Sequence, residues 1–356
     1  MEYRIIKILS IVITLTAAIG LVILAAVPGL HSYALSQKQE EKRRQSVLSL
    51  MQNSKNLTIQ EDSKMQGQIR LTLPKGMKQE DMIVKADPVE CGLSITIPGI
   101  SEYYFYDYPI VGSAQHVENL YFDTDASGGT IQFELDQVYE PEIKSKDGYL
   151  YISFVSPKEL YDHVVVVDAG HGGKDIGASA AGVEEKNLCL DITKKLKDKL
   201  DEREAMGDTD GNGKQDLKVY YTRLDDEKIG LEHRVNLANN TGADLFLSIH
   251  INSTSSGRES AINGTEVMYK VEDTTGASKA FADTCLTNLL SSLSSQSKGL
   301  VAGDDIKIIR LAKMPVALAE IGFITNGTER ERMQTEDYQN QAAQGLYDSL
   351  ITSLGL

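Results

Sequence analysis

The spacing of apolar residues changes period near residue 158, and that change constrains the fold more than any other feature of the chain. Before it, "IRLTL" at 69, "LSITI" at 93, "TIQFEL" at 130 and "YLYISFV" at 149 alternate apolar with polar or smaller residues, the pattern of half-buried strands. Turn signals such as "SGG" and "KDG" separate these runs, so a small, antiparallel all-β domain is expected over 59–157. After it, apolar runs alternate with helical spacing. "VVVVD" at 164 is continuously apolar, as expected of a strand covered on both faces. "EKNLCLDITKKLKDKLDE" at 185 places Leu188, Ile192, Leu196 and Leu200 on one helical face. "LKVYYTR" at 217, "ADLFLSIH" at 243, "GTEVMYK" at 264 and "PVALAEIGF" at 315 read as further strands. Helices are expected over 232–242, stopped by Gly242, and near 278–294 and 336–353. Residues 158–356 are thus expected to form an α/β domain, a twisted, mostly parallel sheet flanked by helices.

The first thirty residues follow a third pattern. After Arg4 and Lys7 comes "ILSIVITLTAAIGLVILAAV", residues 8–27, apolar and uncharged, which matches the roughly 20 residues a transmembrane helix needs. An uncleaved anchor within 1–30 is expected, with a secretory signal as the alternative. The charged, helix-forming stretch that follows reads as a juxtamembrane linker over 31–58. Lys38, Lys42, Arg43 and Arg44 on the far side outnumber Arg4 and Lys7, which by the positive-inside rule alone favours a cytoplasmic C-terminal region.

With 51 acidic against 36 basic residues and a formal charge of −15, the chain offers no basic stripe for nucleic acid. Cys91, Cys189 and Cys285 lie far apart, forming no thiolate metal motif and no disulfide framework. The aromatic run "YYFYDY" at 103–108 reads as packing in a strand, with a sugar-stacking surface as the alternative.

The strand "VVVVD" runs into "AGHGGKD", which presents Asp168 and His171 beside a glycine-rich turn. The turn lacks the lysine and Ser/Thr of a phosphate-binding loop and the spacing of a dinucleotide fingerprint. A lone histidine here would more often be structural. A second one, His250, however, ends the strand "LFLSIH" in an equivalent place, and ligands of open α/β sheets collect beyond the carboxyl ends of strands. Two imidazoles arriving there can share an ion, and Glu185, opening the next helix, can supply a carboxylate. His–Glu–His with an open fourth position is the pattern of a catalytic rather than a structural zinc ion.

The segments "VVVVDAGHGGKDIGA", "GVEEKNLCLDI", "YYTR", "LEHRVNLANNTGADLFLSIHIN", "GTEVMY" and "PVALAEIGFITN" occur in this order over about 164–354. Together they resemble the zinc-dependent N-acetylmuramoyl-L-alanine amidases, which cut the peptide stem from peptidoglycan. The resemblance implies that His171, Glu185 and His250 are zinc ligands and that Glu320 is the catalytic glutamate. The "EK" pair selects Glu185 over the adjacent Glu184. Arg234 matches an arginine of the family, structural or substrate-facing, and Asp168 is expected either to orient a ligand histidine or to cap the loop. His31, His116, His163 and His233 match no motif and read as surface or packing residues. Some relatives cover the zinc with an inserted helix; no long insertion follows His250, so an open site is expected.

The connection before the strand at 217 carries "GDTDGNGKQD". Asp208, Asp210, Asn212, Gly213 and Asp216 match positions of a Ca2+ loop, although the twelfth position is Val219; the alternative is a surface turn. The resemblance, taken with the apolar segment at 8–27, leads to the expectation of a membrane-anchored Zn2+ amidase acting on peptidoglycan, its catalytic domain facing the cell wall despite the flanking charges. The β domain would then target the wall, with cell-wall or divisome proteins as possible partners. The rivals are a non-catalytic peptidoglycan-binding scaffold and a zinc peptidase cutting within the stem.

Overall fold

A computed structural model describes residues 55–356 apart from Gln66 and Glu102. The expected anchor at 1–30, His31 and most of the linker lie outside the described residues, among which no helix is long and apolar enough to cross a membrane.

The first part of the described chain is a sandwich of two sheets. One orders Val117–Asp125, Gly128–Leu135, Gly92–Ile97 and Ile83–Asp87, all antiparallel. The other orders Ile59–Glu61, Ile110–Gly112, Gln68–Thr72, Tyr149–Val155 and Glu140–Lys146, antiparallel except for its first pair. Alternate residues of the quoted runs, Ile69 and Leu71, Ile95 and Ile97, Ile131 and Phe133, Leu150 and Ile152, point inward to one core. The "KDG" signal is a two-residue hairpin in which Lys146 pairs with Tyr149. Asp147 (φ 52°) and Gly148 (φ 80°) are both left-handed, as the twist-matched hairpin turn demands.

The tyrosine-rich run departs from expectation. It is a helical turn, Tyr104–Asp107, not a strand. Strand alternation would send consecutive rings to opposite faces, whereas the turn seats Phe105 edge-on against Phe122 at 5.0 Å and lets the Tyr104 hydroxyl donate to the Thr72 carbonyl at 3.1 Å. Tyr103 and Tyr108 remain exposed.

From residue 161 the chain builds a six-stranded sheet ordered Gln215–Tyr221, Tyr161–Ala169, Leu245–Asn252, Val316–Phe323, Thr265–Tyr269, Ser297–Ala302. The first four run parallel, and the last two, parallel to each other, run the opposite way. The reversal has a local cause. The 253–264 connection carries no helix, and a parallel return normally needs a crossover of that kind. Strand Ser297–Ala302 and the short helices Lys307–Leu311 and Gly327–Met333 had no clear sequence signal.

The uninterrupted valines are explained by the two layers. Val165 and Val167 pack under helices Glu185–Glu204, Ala277–Leu293 and Glu336–Leu354. Val164 and Val166 share a second buried cluster with Val235, Leu237 and Ala238 of helix Leu231–Asn240 and with Val138 from the sandwich. Burying apolar side chains on both faces leaves no polar face to alternate with, and the carboxyl ends of the parallel strands gather along one edge.

Candidate metal centre

At that edge strand Tyr161–Ala169 enters the loop holding His171. Its backbone is left-handed at φ 59°, a conformation that costs a non-glycine residue roughly 1–3 kcal/mol and persists only where surroundings impose it. Gly172 (φ 128°) and Gly173 (φ 57°) continue the turn, which folds back through paired backbone bonds between Gly172 and Asp175. The return brings the Asp175 carboxylate within 3.0 Å of His171 Nδ1, leaving Nε2 for the site.

Three side chains converge there. Glu185 Oε1 lies 3.1 Å from His171 Nε2 and 2.9 Å from His250 Nδ1. The two imidazoles meet nearly edge to face, with ring centres 4.9 Å apart. Among the described residues, this is the one group of three whose ligand atoms lie close enough to share a metal ion, all within 4.8 Å of one another. The spacing suits zinc, because tetrahedral bonds of about 2.1 Å put neighbouring ligand atoms about 3.4 Å apart. The donor set also suits it. Glu185 is buried, and its Oε2 accepts from the Ala178 amide at 2.7 Å while Oε1 accepts from Ile251 at 3.1 Å, so the carboxylate is aimed from behind. Glu184 turns outward instead, bonding Asn187 at 3.3 Å.

The electrostatics follow from this crowding. Burial alone would raise the Glu185 pKa, but hydrogen bonds from His171 and His250 hold it far below the usual carboxylate range. Burial opposes protonation of His171, yet its bonds to Asp175 and Glu185 outweigh that and lift it to about 9. Glu320, on strand Val316–Phe323, is the direct register partner of His250 and of Glu266 on its other side. Its Oε2 is buried without a hydrogen-bond partner. Burial pushes its pKa up to about 7, with His250 pulling down and the Glu185 and Glu266 carboxylates pushing further up.

The structure bears on two expectations that were left open. Asp168 touches neither ligand histidine; it is fully buried and accepts from Thr222 Oγ1 at 2.7 Å, Ser248 Oγ at 2.6 Å and Arg234 Nη1 at 2.6 Å. The carboxylate on His171 Nδ1 is that of Asp175, four residues further along the same tight turn. Arg234 is buried, in keeping with the structural one of its two readings, and donates to the Ala169 and His171 carbonyls at 2.6 and 2.5 Å. Arg223, the last residue of "YYTR", was not singled out and sits beside it, equally buried.

The candidate Ca2+ ligands are engaged by protein partners. Asp216 is claimed by Arg203 at 2.8 Å and by the Thr209 amide and hydroxyl. Asp208 accepts from the Gly211 and Gly213 amides and Asp210 from the Asn212 amide, while Asn212 donates to Asp162. This is a self-bonded surface turn. Of the other histidines, His116 bonds Tyr139 and His233 pairs with Glu90 of the sandwich at 3.1 Å.

His171 and His250 from two strand-end segments and Glu185 from the start of a helix, with the Glu320 carboxylate alongside, make a donor set that could hold a metal ion for hydrolysis. The chain belongs to the N-acetylmuramoyl-L-alanine amidase family, which matches residues 165–352, just over half its length. Its catalytic domain is that of a cell-wall amidase. The chain is similar to the uncharacterized protein YqiI of Bacillus subtilis (strain 168), 36% identical over 186 residues, covering 52% of this chain and 82% of that one. It is also similar to the N-acetylmuramoyl-L-alanine amidase LytC of the same organism, 32% identical over 188 residues, 53% of this chain but 35% of that one. Among solved structures, the catalytic domain of CwlV, an amidase from Bacillus (Paenibacillus) polymyxa var. colistinus, aligns at 35% identity with a TM-score of 0.48, covering 54% of this chain and 98% of that one.

Proposed function

We propose that the chain is a zinc-dependent hydrolase of the amide between N-acetylmuramic acid and L-alanine in peptidoglycan, working on the outer side of the membrane. His171 Nε2, a Glu185 oxygen and His250 Nδ1 would hold the ion. When bound, zinc acidifies a water molecule and polarises the scissile carbonyl. Glu320 takes the water's proton on its free oxygen and delivers it to the departing alanine amine, the role its raised proton affinity suits. The observation that carries this reading is Glu320 Oε2, a buried carboxylate oxygen without a partner, on the strand next to His250. A buried polar atom left unsatisfied is costly, and its place beside the three ligands gives it work to do. Open access suits a polymeric substrate, since the His171 and His250 side chains keep 24% and 17% of their surface exposed.

The apolar segment 8–27 supports attachment to the membrane, and a substrate outside the cytoplasm outweighs the flanking charges. The sandwich would hold the catalytic domain against the wall. Digestion of peptidoglycan by a zinc-loaded fragment starting at residue 56, beside Glu320→Ala, tests the reading by mass spectrometry. Intact stem peptides with a free N-terminal alanine, absent from the variant digest, are the expected products. Cuts within the stem would mean a peptidase, and no cuts by folded, zinc-bound protein would mean a binding role.

A further inference from the structure

The three candidate ligands come from three separate segments, and a buried polar hub touches all of them. Asp168, Arg223 and Arg234 are 0%, 2% and 3% exposed. Arg234 donates through Nη2 to the carbonyl of His171 itself at 2.5 Å, and through Nη1 to Ala169 and to Asp168 at 2.6 Å each. Arg223 donates through Nε to the Ala169 carbonyl at 3.0 Å. Its Nη2 is shared between the Gly170 carbonyl at 2.7 Å and the Lys186 carbonyl at 2.9 Å. One guanidinium nitrogen thus ties the residue before His171 to the residue after Glu185. The third segment joins through Asp168, whose other oxygen accepts from Ser248 Oγ at 2.6 Å, two residues before His250 on the same strand.

We propose that Asp168, Arg223 and Arg234 are positioning residues that set His171, Glu185 and His250 in their metal-binding arrangement before any metal arrives. The inference rests on the reading of those three as metal ligands. Packing alone does not account for the hub, because the hydrogen bonds of Arg223 run to four backbone carbonyls, those of Ala169, Gly170, Lys186 and Asp225. A buried guanidinium is costly unless its donors are all used, and an apolar residue would fill the space without that demand. What the guanidinium supplies is a planar fork with fixed directions. Its donors converge on the loop where His171 is left-handed (φ 59°), a conformation that surroundings must impose.

The test uses the full chain in mild detergent with Arg223→Lys and Arg234→Lys, which keep the charge but lose the fork. Zinc affinity is measured by chelator competition, ligand geometry by the visible absorption of the cobalt-substituted protein, and folding in EDTA by far-ultraviolet circular dichroism. Folded variants binding zinc at least tenfold more weakly, with altered cobalt bands, are expected. Folded variants with the wild-type zinc affinity and cobalt spectrum would overturn the hub, leaving it a purely structural cluster. Should neither variant fold, hydrogen exchange of the wild-type chain decides. The amides of 169–172 and 185–187 are expected to be as protected in EDTA as with zinc, and protection appearing only with zinc would mean that the metal organises the site. A wild-type chain that binds no zinc would overturn the metal reading itself, and the hub's proposed role with it.

Discussion

Glu320 and His250 face each other in register across two adjacent parallel strands, so the proposed base and one proposed metal ligand are held by the same backbone ladder. The ladder holds their backbones, and so the spacing of their Cα atoms, more firmly than loops would. The neutral isostere Glu320→Gln is therefore expected to retain zinc while losing about 10²- to 10⁴-fold in kcat, the usual range for a general acid–base group. Metal content by atomic absorption beside turnover checks this, and loss of zinc from the variant would contradict it.

The metal-free protein should be most stable at mildly acidic pH. His171 has a folded pKa of about 9 against an ordinary 6.5, so its contribution is complete below pH 6.5 and lost as pH rises through 9. Glu320 has a folded pKa of about 7 against 4.5, so a cost of keeping it charged accumulates from pH 4.5 through 7. Both slopes run the same way. Thermal midpoints in EDTA are expected to fall between pH 5 and 9, and Glu320→Gln to be more stable than wild type at pH 8 but not at pH 5. A flat or rising wild-type profile would contradict the assigned partners.

Zinc uptake should release protons, because His171 must lose one before it can bind. Apparent affinity should rise about tenfold per pH unit below pH 9, the sign following from the raised His171 pKa. Asp175→Asn removes the charge that helps raise it. That variant should show a weaker pH dependence, with zinc affinity lower by roughly 10- to 100-fold, the usual effect of losing a ligand's outer partner. Calorimetry in two buffers of different ionisation enthalpy measures both effects.

Two glycines leave room for the proposed ligands His250 and Glu185. A Cβ on Gly170 would lie 2.5 Å from His250 Cε1, and one on Gly177 would lie 2.5 Å from Glu185 Oε2. Gly170→Ala and Gly177→Ala should each displace a ligand and weaken zinc binding by at least tenfold. Gly177 also has φ +67°, so its variant should lose stability as well, by about 1 kcal/mol or more. Equal zinc affinity in Gly170→Ala would mean that the His250 ring can shift without consequence.

Calcium at about millimolar concentration, where weak extracellular sites fill, should not shift the thermal midpoint, because Asp216 is already bonded to Arg203 and Thr209. A rise of several degrees would show that the turn at 208–216 rearranges around the ion.

Much of this architecture was legible in the chain. Alternating Ile69, Leu71, Ile95 and Ile97 specify strands with one buried face, and the unbroken Val164–Val167 run specifies a strand buried on both. Those patterns report local periodicity, which survives any arrangement of the elements. The end of a covered strand also marks where His171 and His250 must emerge. Strand Ser297–Ala302 was not legible, because an edge strand with exposed and partly exposed residues carries no apolar rhythm. The helical turn at Tyr104–Asp107 was misread because four aromatic residues in a row satisfy more than one pattern.

By itself the sequence determined the layers and offered the candidate residues His171, Glu185, His250 and Glu320 that the family pattern marks. Only the tertiary structure decided what each polar group answers to. Asp168 lies three residues from His171 yet bonds Ser248, Thr222 and Arg234, which are 80, 54 and 66 residues away. A hydrogen bond is satisfied by distance and direction in space, and those are set by how remote segments pack together.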